Sequence, residues 1–298
     1  MKSPILFIIF NRLDTTQKVF EKIKNYKPAR LYIKSDGPRL ERIGEEELVQ
    51  KTRDFVMGSI DWECEVLTSF ENENLGCKEN IQKALKWYFA NEEQGIILED
   101  DTVPNEQFFE FVDSKLIELR DDTKVMMISG SNLIERECPL AAPTKSQIAQ
   151  VWGWATWKHK FQLYENDIRI RRRHISNVFF DIWKKIDLKA AVYFTACFLL
   201  VRNHRLNTWD YQLQKVMLDN NMSCVIPSSN LIVNIGISGA HSENADRNHF
   251  RKASQSKNNF KHAQEIQAQK WERTFSNIQY RKKFLKHLAY ILFSYFYR

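Results

Sequence analysis

Short apolar runs alternate with longer amphipathic stretches along the first 130 residues. Pro4–Phe10 reads PILFIIF, a continuous apolar run that predicts a strand buried on both faces of a parallel sheet. Val19, Phe20 and Ile23 follow at helical spacing, with Asp14 or Thr15 placed to cap that helix. Leu31–Ile33 is a second short strand, closed by the turn signal Ser35-Asp36-Gly37-Pro38. A helix through residues 41–57, a strand over Cys64–Leu67, a helix over Asn80–Ala90 and a strand over Gly95–Leu98 come next. Phe108–Leu119 and Val125–Ile128 complete the series as helix and strand. Such alternation predicts βαβ units and a mostly parallel sheet, with the ligand site at the carboxyl ends of the strands. Three polar segments fall at those ends: Asn11-Arg12, Ser35-Asp36-Gly37 and Glu99-Asp100-Asp101.

The periodicity weakens over residues 131–207, where Trp and basic residues cluster. Asp210–Asn220 is expected to be a helix, Cys224–Ile226 and Leu231–Val233 short strands, and the polar stretch 239–262 a loop. The organisation expected is a domain over residues 1–242, with a nucleotide-binding half to about residue 130 and an acceptor-side half beyond it. Residues 243–298 form a polar loop and a basic amphipathic tail.

With 298 residues, 43% hydrophobic and 27% charged, the chain is neither disordered nor fibrous. Its five cysteines are widely spaced with no CxxC pair, which supports neither zinc ligation nor a disulfide framework. Met1-Lys2-Ser3-Pro4 and the short apolar run after it do not make a signal peptide, and no run reaches membrane-spanning length. The compartment expected is the cytoplasm, peripheral at the inner face of the cell membrane. Net charge is +7, and its placement matters more than its size. Residues 251–298 hold eleven Lys/Arg and only Glu265 and Glu272, so the body is nearly neutral. A basic tail suits an anionic surface, whereas a nucleic-acid enzyme spreads positive charge along its cleft. No nucleic-acid partner is therefore expected.

Glu99-Asp100-Asp101 is the most informative segment. Three adjacent carboxylates after a buried strand repel one another unless a cation neutralises them, and a hard divalent ion with oxygen ligands is the natural candidate. The alternative is a solvated acidic turn before a helix. Neither a GxGxxG nor a GKS/T phosphate cradle is present. Lys78 and Asn80 stand ahead of a predicted helix, where phosphate can sit. Trp154 either stacks on a sugar face or belongs to the core.

In order, the chain carries a strand ending in Asn-Arg, then SDGPR, NLGCKENIQKALKWYF, GIILEDDTVPNEQFF, ISGSN, VWGWATWKHKF, Trp209-Asp210 and NIGISGAHS. This ordered set, over residues 4–242, resembles the GT-A nucleotide-sugar glycosyltransferases, and most of all the N-acetylglucosaminyltransferase I group and its bacterial surface-glycan relatives. The resemblance implies an α/β fold of GT-A type, Rossmann-like with flanking helices. It implies that Asp101 binds Mn²⁺ or Mg²⁺, that Glu99 and Asp100 lie near the ribose and the metal's waters, and that Arg12 and Asp36 contact the uracil and its flank. Asp210 matches the general base of an inverting transfer, and His241 a neighbour of phosphate or metal. The partners implied are a nucleotide-sugar donor, UDP-linked, and a glycan or lipid-linked glycan acceptor.

Each residue also has a plainer reading. Asp210 can cap the helix it starts, Asp36 can close an Asx-turn, Arg12 can be a solvated strand end, and His241 can be an exposed loop histidine. A non-catalytic binding module of the same fold remains the alternative function. From Arg281 the tail runs RKKFLKHLAYILFSYFYR, in which Phe284, Leu285, Leu288, Ile291, Leu292, Tyr295 and Phe296 form one helical stripe. With Lys282, Lys283 and Lys286 beside it, residues 281–298 are expected to meet an anionic membrane, the alternative being docking on the protein's own core.

Overall fold

A computed structural model of the chain describes residues 2–236, 261–280 and 284–296. The first half follows the predicted alternation: β1 (Ile5–Ile9), α1 (Leu13–Tyr26), β2 (Arg30–Ser35), α2 (Glu45–Gly58), β3 (Glu65–Phe70), α3 (Gly76–Asn91) and β4 (Gln94–Glu99). A short β5 (Thr102–Pro104), α4 (Glu106–Glu118) and β6 (Val125–Ser129) follow. The apolar run in β1 is fully buried, as a strand covered on both faces requires.

The second half completes the same sheet. β7 (Thr144–Ser146), β8 (Trp154–Trp157), α5 (Lys158–Phe161), α6 (Ile175–Lys185), α7 (Leu188–Arg202), α8 (Asp210–Asp219), β9 (Ser223–Ile226) and β10 (Ile232–Asn234) come in turn. Two C-terminal helices close the chain, α9 (Lys261–Gln279) and α10 (Phe284–Phe296). The main sheet runs β3-β2-β1-β4-β8-β6-β9-β7, while β5 and β10 pair separately as an antiparallel two-stranded unit. The fold is thus α/β with a mostly parallel sheet and flanking helices; only β8 and β7 run against their neighbours.

Strand order locates the site. From β1 the chain moves outward through β2 and β3, then returns to place β4 on the other side of β1. In open α/β sheets, ligands bind in the crevice at the carboxyl ends of the strands where the order reverses. Here that is the β1–β4 junction, where Arg12 and the acidic triplet stand.

Several local expectations change. Helix α1 starts at Leu13 with Arg12 as its N-cap and no side-chain cap; the Thr16 hydroxyl instead donates back to the Arg12 carbonyl at 2.7 Å. Helix α3 begins at Gly76, so Lys78 and Asn80 lie inside its first turns and not ahead of it. The segment that lost periodicity contains α6 and α7. Helix α7 (LKAAVYFTACFLLVR) is apolar nearly all round because other elements cover it on almost every side, which erases the 3.6-residue signal. Helix α9 begins inside the stretch read as loop.

The C-terminal helices dock. Trp271 of α9 is fully buried, and its indole N–H donates to Asn132 Oδ1 at 2.9 Å. Helix α10 packs on α7, with His287, Ile291 and Ser294 buried while Leu285, Lys286 and Leu292 face outward. The stripe expected to face a membrane is therefore divided, because part of it is used in docking. Arg281, Lys282 and Lys283 lie outside the described residues, and the side chains of Tyr295 and Phe296 do too. No helix among the described residues is long and apolar enough to cross a membrane.

Two outcomes test the docking of α9. Trp271→Ala is expected to destabilise the protein by about 3–5 kcal/mol in denaturant unfolding, the usual cost of emptying a large buried aromatic site. Glu272 accepts hydrogen bonds from Ser146 Oγ and the Gln147 amide, and burial pushes its carboxyl up to about 7 despite them, with the Asp187 charge adding to the rise. A carboxyl raised in the folded state contributes stability that is complete below its unfolded pKa and is lost as pH rises through about 7. The denaturation midpoint should therefore fall between about pH 4.5 and about pH 7 and level off above that, and Glu272→Gln should flatten that fall.

Candidate active site

β4 ends at Glu99 and the chain turns at once. The Glu99 amide and carbonyl both bond the Thr102 hydroxyl at 3.0 Å, which tightens the turn and leaves Asp100 and Asp101 at its tip. Arg12 reaches across from the end of β1. Its guanidinium donates to both Asp100 oxygens, and its Nη1 lies 3.0 Å from Asp101 Oδ2. Burial favours loss of its proton, yet Asp100 and Asp101 outweigh that and hold it further above its ordinary value. Arg12 is thus the built-in counter-charge of the triplet, and not a solvated strand end.

One guanidinium does not neutralise three carboxylates. Desolvation, then the charges of Asp101 and Asp100, push Glu99 up to about 8. Asp100 is buried and pushed up to about 6, with Arg12 limiting the rise. Gly236 closes the site from β10: the Ile235 amide donates to the Asp101 carbonyl at 2.8 Å. A Cβ on Gly236 would fall 2.2 Å from Asp101 Oδ2 and 3.1 Å from Arg12 Nη1, so any other residue here would displace the Asp101 carboxylate. His241, the expected phosphate or metal neighbour, lies outside the described residues.

Asp36 occupies the end of β2 and is buried. One of its oxygens accepts from the Gly37 and Leu75 amides, at 2.9 and 2.8 Å. The other accepts from the Gly76 amide at 3.1 Å and from Asn74 Nδ2 at 3.0 Å. Four donors from the protein use both oxygens, so this carboxylate ties the β2 turn to the loop before α3. The turns touch: a Cβ on Gly37 would meet the Glu73 backbone at 2.5 Å. Arg53 of α2 adds a second tie, bonding Ser35 Oγ and the carbonyls of Asp36 and Glu71. Glu45 braces the next loop, held by Arg39 and by Asn11 Nδ2 at 2.9 Å, and the Arg39 bond draws its carboxyl down to about 2.

Asp210 begins α8, half-buried, and accepts from the Tyr211 amide at 3.0 Å and from the Thr208 hydroxyl. Its charge is among those that raise Glu99. Cys77 marks the common ground. Desolvation of its thiol, then the charges of Glu99, Asp210, Asp101 and Asp36, push it up to about 12. The charges of all four acids thus reach one residue at the start of α3, a meeting point that no sequence motif announces.

The remaining candidates stand elsewhere. Trp154 is 1% exposed and stacks on Trp209 with ring centroids 5.8 Å apart, so it props the residue before Asp210 and presents no face to a sugar. Tyr164 holds the same place from below, donating to the Trp209 carbonyl at 2.9 Å while Gln82 donates to it. Lys78 pairs with Asp167 at 3.0 Å. Asn80 is buried in α3, and its Oδ1 has no protein partner. Neither stands as a free phosphate ligand at a helix N-terminus.

Among the described residues, no group of three or more His, Cys, Asp or Glu is arranged to hold a metal. The donor set does fit a hard cation that brings most of its ligands with it. Mg²⁺-like ions take one or two carboxylates and fill the rest of their shell with phosphate and water oxygens. Asp101 has the chemistry of such a carboxylate, with only its Oδ2 shared with Arg12.

No family model matches the chain, and no curated protein matches it. Among solved structures it is similar to HddC from Yersinia pseudotuberculosis, with TM-score 0.33 and 11% identity over 53% of this chain and 77% of that one. The structure of the same HddC complexed with GMP-PN gives TM-score 0.33 at 13% identity. S. aureus TarS gives TM-score 0.39 at 11% identity, covering 70% of this chain and 44% of that one. Likenesses this remote say nothing of activity, so function has to be argued from the side chains.

Asp36→Asn is expected to cost about 1–3 kcal/mol of stability without any ligand, because its new amide group faces two N–H donors where a carboxylate oxygen stood. Denaturant unfolding of the unliganded variant measures this. An unchanged midpoint would return Asp36 to the pool of ligand-facing residues.

Proposed function

We propose that the protein is a glycosyltransferase that takes a sugar from a nucleotide-sugar donor, a UDP-sugar in the first instance, and transfers it with inversion to a glycan or lipid-linked glycan hydroxyl. The observation that carries this reading is the unbalanced charge at the strand-order reversal. Three carboxylates gather there around a single Arg12, with Asp210 in electrostatic reach. Such a site attracts a divalent cation, and a cation held by so few protein groups keeps room for a diphosphate.

Asp101 would hold Mn²⁺ or Mg²⁺, with Glu99 and Asp100 behind it. The metal supplies Lewis-acid stabilisation of the negative charge that grows on the departing nucleoside diphosphate. Arg12 anchors the acidic turn to the end of β1 and adds a fixed positive charge beside the phosphates. Asp36 holds the turn that flanks the nucleotide, as a positioning residue. Asp210 takes the proton from the acceptor hydroxyl as that oxygen attacks the anomeric carbon. Its own bonds, from Thr208 Oγ and the Tyr211 amide, both go to Oδ1, which supports Oδ2 as the oxygen that would take the proton.

The reading predicts a nucleotide-class-selective, metal-dependent rise in melting temperature when the protein is screened against UDP-, GDP-, dTDP- and CMP-sugars with and without Mn²⁺. A ligand at a hundredfold excess over its Kd adds about 2.7 kcal/mol of apparent stability. Asp101→Asn should remove the metal-dependent part. Asp210→Asn should keep donor binding yet lower turnover, measured as release of nucleoside diphosphate, by about 10²–10⁴-fold. Binding with no turnover in the unmodified protein would favour the binding module. No shift with any donor would make the triplet a solvated turn.

A further inference from the structure

Helix α6 presents an outward ridge that neither the sheet nor the proposed site uses. Ile175 and Ile182 anchor its inner face, while Phe180 and Trp183 remain 49% and 47% exposed on the outer one. These large rings are not loose. Phe180 and Trp183 stack with centroids 6.0 Å apart, and Phe179 contacts both edge-on at 5.5 and 6.2 Å. Leaving a packed aromatic cluster half in water forgoes burial that a partner would recover.

The charge around the ridge identifies that partner. Residues 169–189 contain seven Lys/Arg and only Asp181 and Asp187 as acids. Arg171 and Arg173, just ahead of α6, and Lys184, next to Trp183 in sequence, are exposed, and Asp181 is already paired with Lys185 at 2.8 Å. Asp187 is spent as the N-cap of α7, accepting from the Ala190 amide. What is left is an amphipathic helix with aromatic residues on its outer crest and basic residues at both ends. This is the composition of a helix that lies in the boundary layer of an anionic bilayer, rings among the headgroups and cations against the phosphates. Helix α7 carries α6 and α10 alike, and α10 turns Leu285, Lys286 and Leu292 outward.

We infer that α6, through Phe180 and Trp183 flanked by Arg171, Arg173 and Lys184, is the principal contact of this protein with an anionic lipid surface, and that α10 adds to it. This inference is independent of the donor and of any metal, so it stands or falls apart from the proposed reaction.

Co-sedimentation of the full chain with vesicles tests it, using phosphatidylcholine alone and phosphatidylcholine mixed with phosphatidylglycerol. The protein should sediment with the anionic vesicles, and less so when salt is raised from about 0.1 M to about 0.5 M. Phe180→Ser with Trp183→Ser should weaken binding at least about tenfold, and joint Arg171→Glu, Arg173→Glu and Lys184→Glu about a hundredfold. Leu285→Ser with Leu292→Ser should weaken it less than the aromatic pair does. Arg171, Arg173, Lys184, Leu285 and Leu292 are exposed, so circular-dichroism melting of those variants should be unchanged. The aromatic pair is half-buried, and its variant should keep a cooperative melt above the assay temperature, so that loss of binding is not loss of fold. Absence of sedimentation with anionic vesicles, or equal sedimentation of the aromatic variant, overturns the inference. A dimer that the aromatic variant converts to monomer, with no vesicle binding by either, overturns it too and assigns the ridge to a second copy of the chain.

Discussion

Repulsion among three carboxylates at the end of a buried strand is the constraint around which the sheet's central crevice is organised. Strand β4 is covered on both faces, so its chain must leave the core at Glu99, and the turn there holds Asp100 and Asp101 within contact of each other's charge. Arg12 is the counterweight, and it can be one only because β4 returns to lie against β1. The crossover that creates the crevice therefore also supplies the cation that makes the acidic turn tolerable. Gly236 completes the closure, since a side chain there would push the Asp101 carboxylate out of place.

Two aspartates at neighbouring strand ends show how surroundings decide what a carboxylate is for. Asp36 is surrounded by backbone amides, so its oxygens are spent on fastening one loop to another. Asp101 lies beside one guanidinium and two neighbouring acids, with only its Oδ2 shared with Arg12, which is why the proposed cation is assigned to it. Around them Arg53, Glu45 and Arg39 link the turns after β1, β2 and β3. A rigid rim of this kind holds reacting groups in place, which is how a site lowers a barrier without reorganising.

The helical layer is arranged for a different purpose. Helix α7 is buried on nearly all sides and serves as the post on which α6 and α10 are mounted. Each outer helix contributes one face to the core and keeps apolar residues on the other, beside basic ones. The inferred lipid contact and the core packing would thus draw on opposite faces of the same helices.

The alternation through β6, the depth of β1 and the acidic turn after β4 were legible in the sequence, because local hydrophobic pattern decides which segments form buried strands. Ordered motifs singled out Arg12, Glu99, Asp100, Asp101 and Asp210; the fold joins Arg12 to Asp100 and Asp101, and the charge of Asp210 reaches Glu99. What only tertiary structure decided is how each side chain spends its bonds. Trp154 was open between a sugar platform and the core and became the prop of Trp209, since stacking and burial depend on a partner 55 residues away in sequence. Lys78 was taken up by Asp167, and Asp36 by a loop nearly forty residues downstream. Helix α7 escaped periodic reading because its neighbours cover it all round, and the tail stripe was divided by docking on that same helix. Pattern along the chain records what each residue tends to do, while long-range contacts settle which of those tendencies is satisfied.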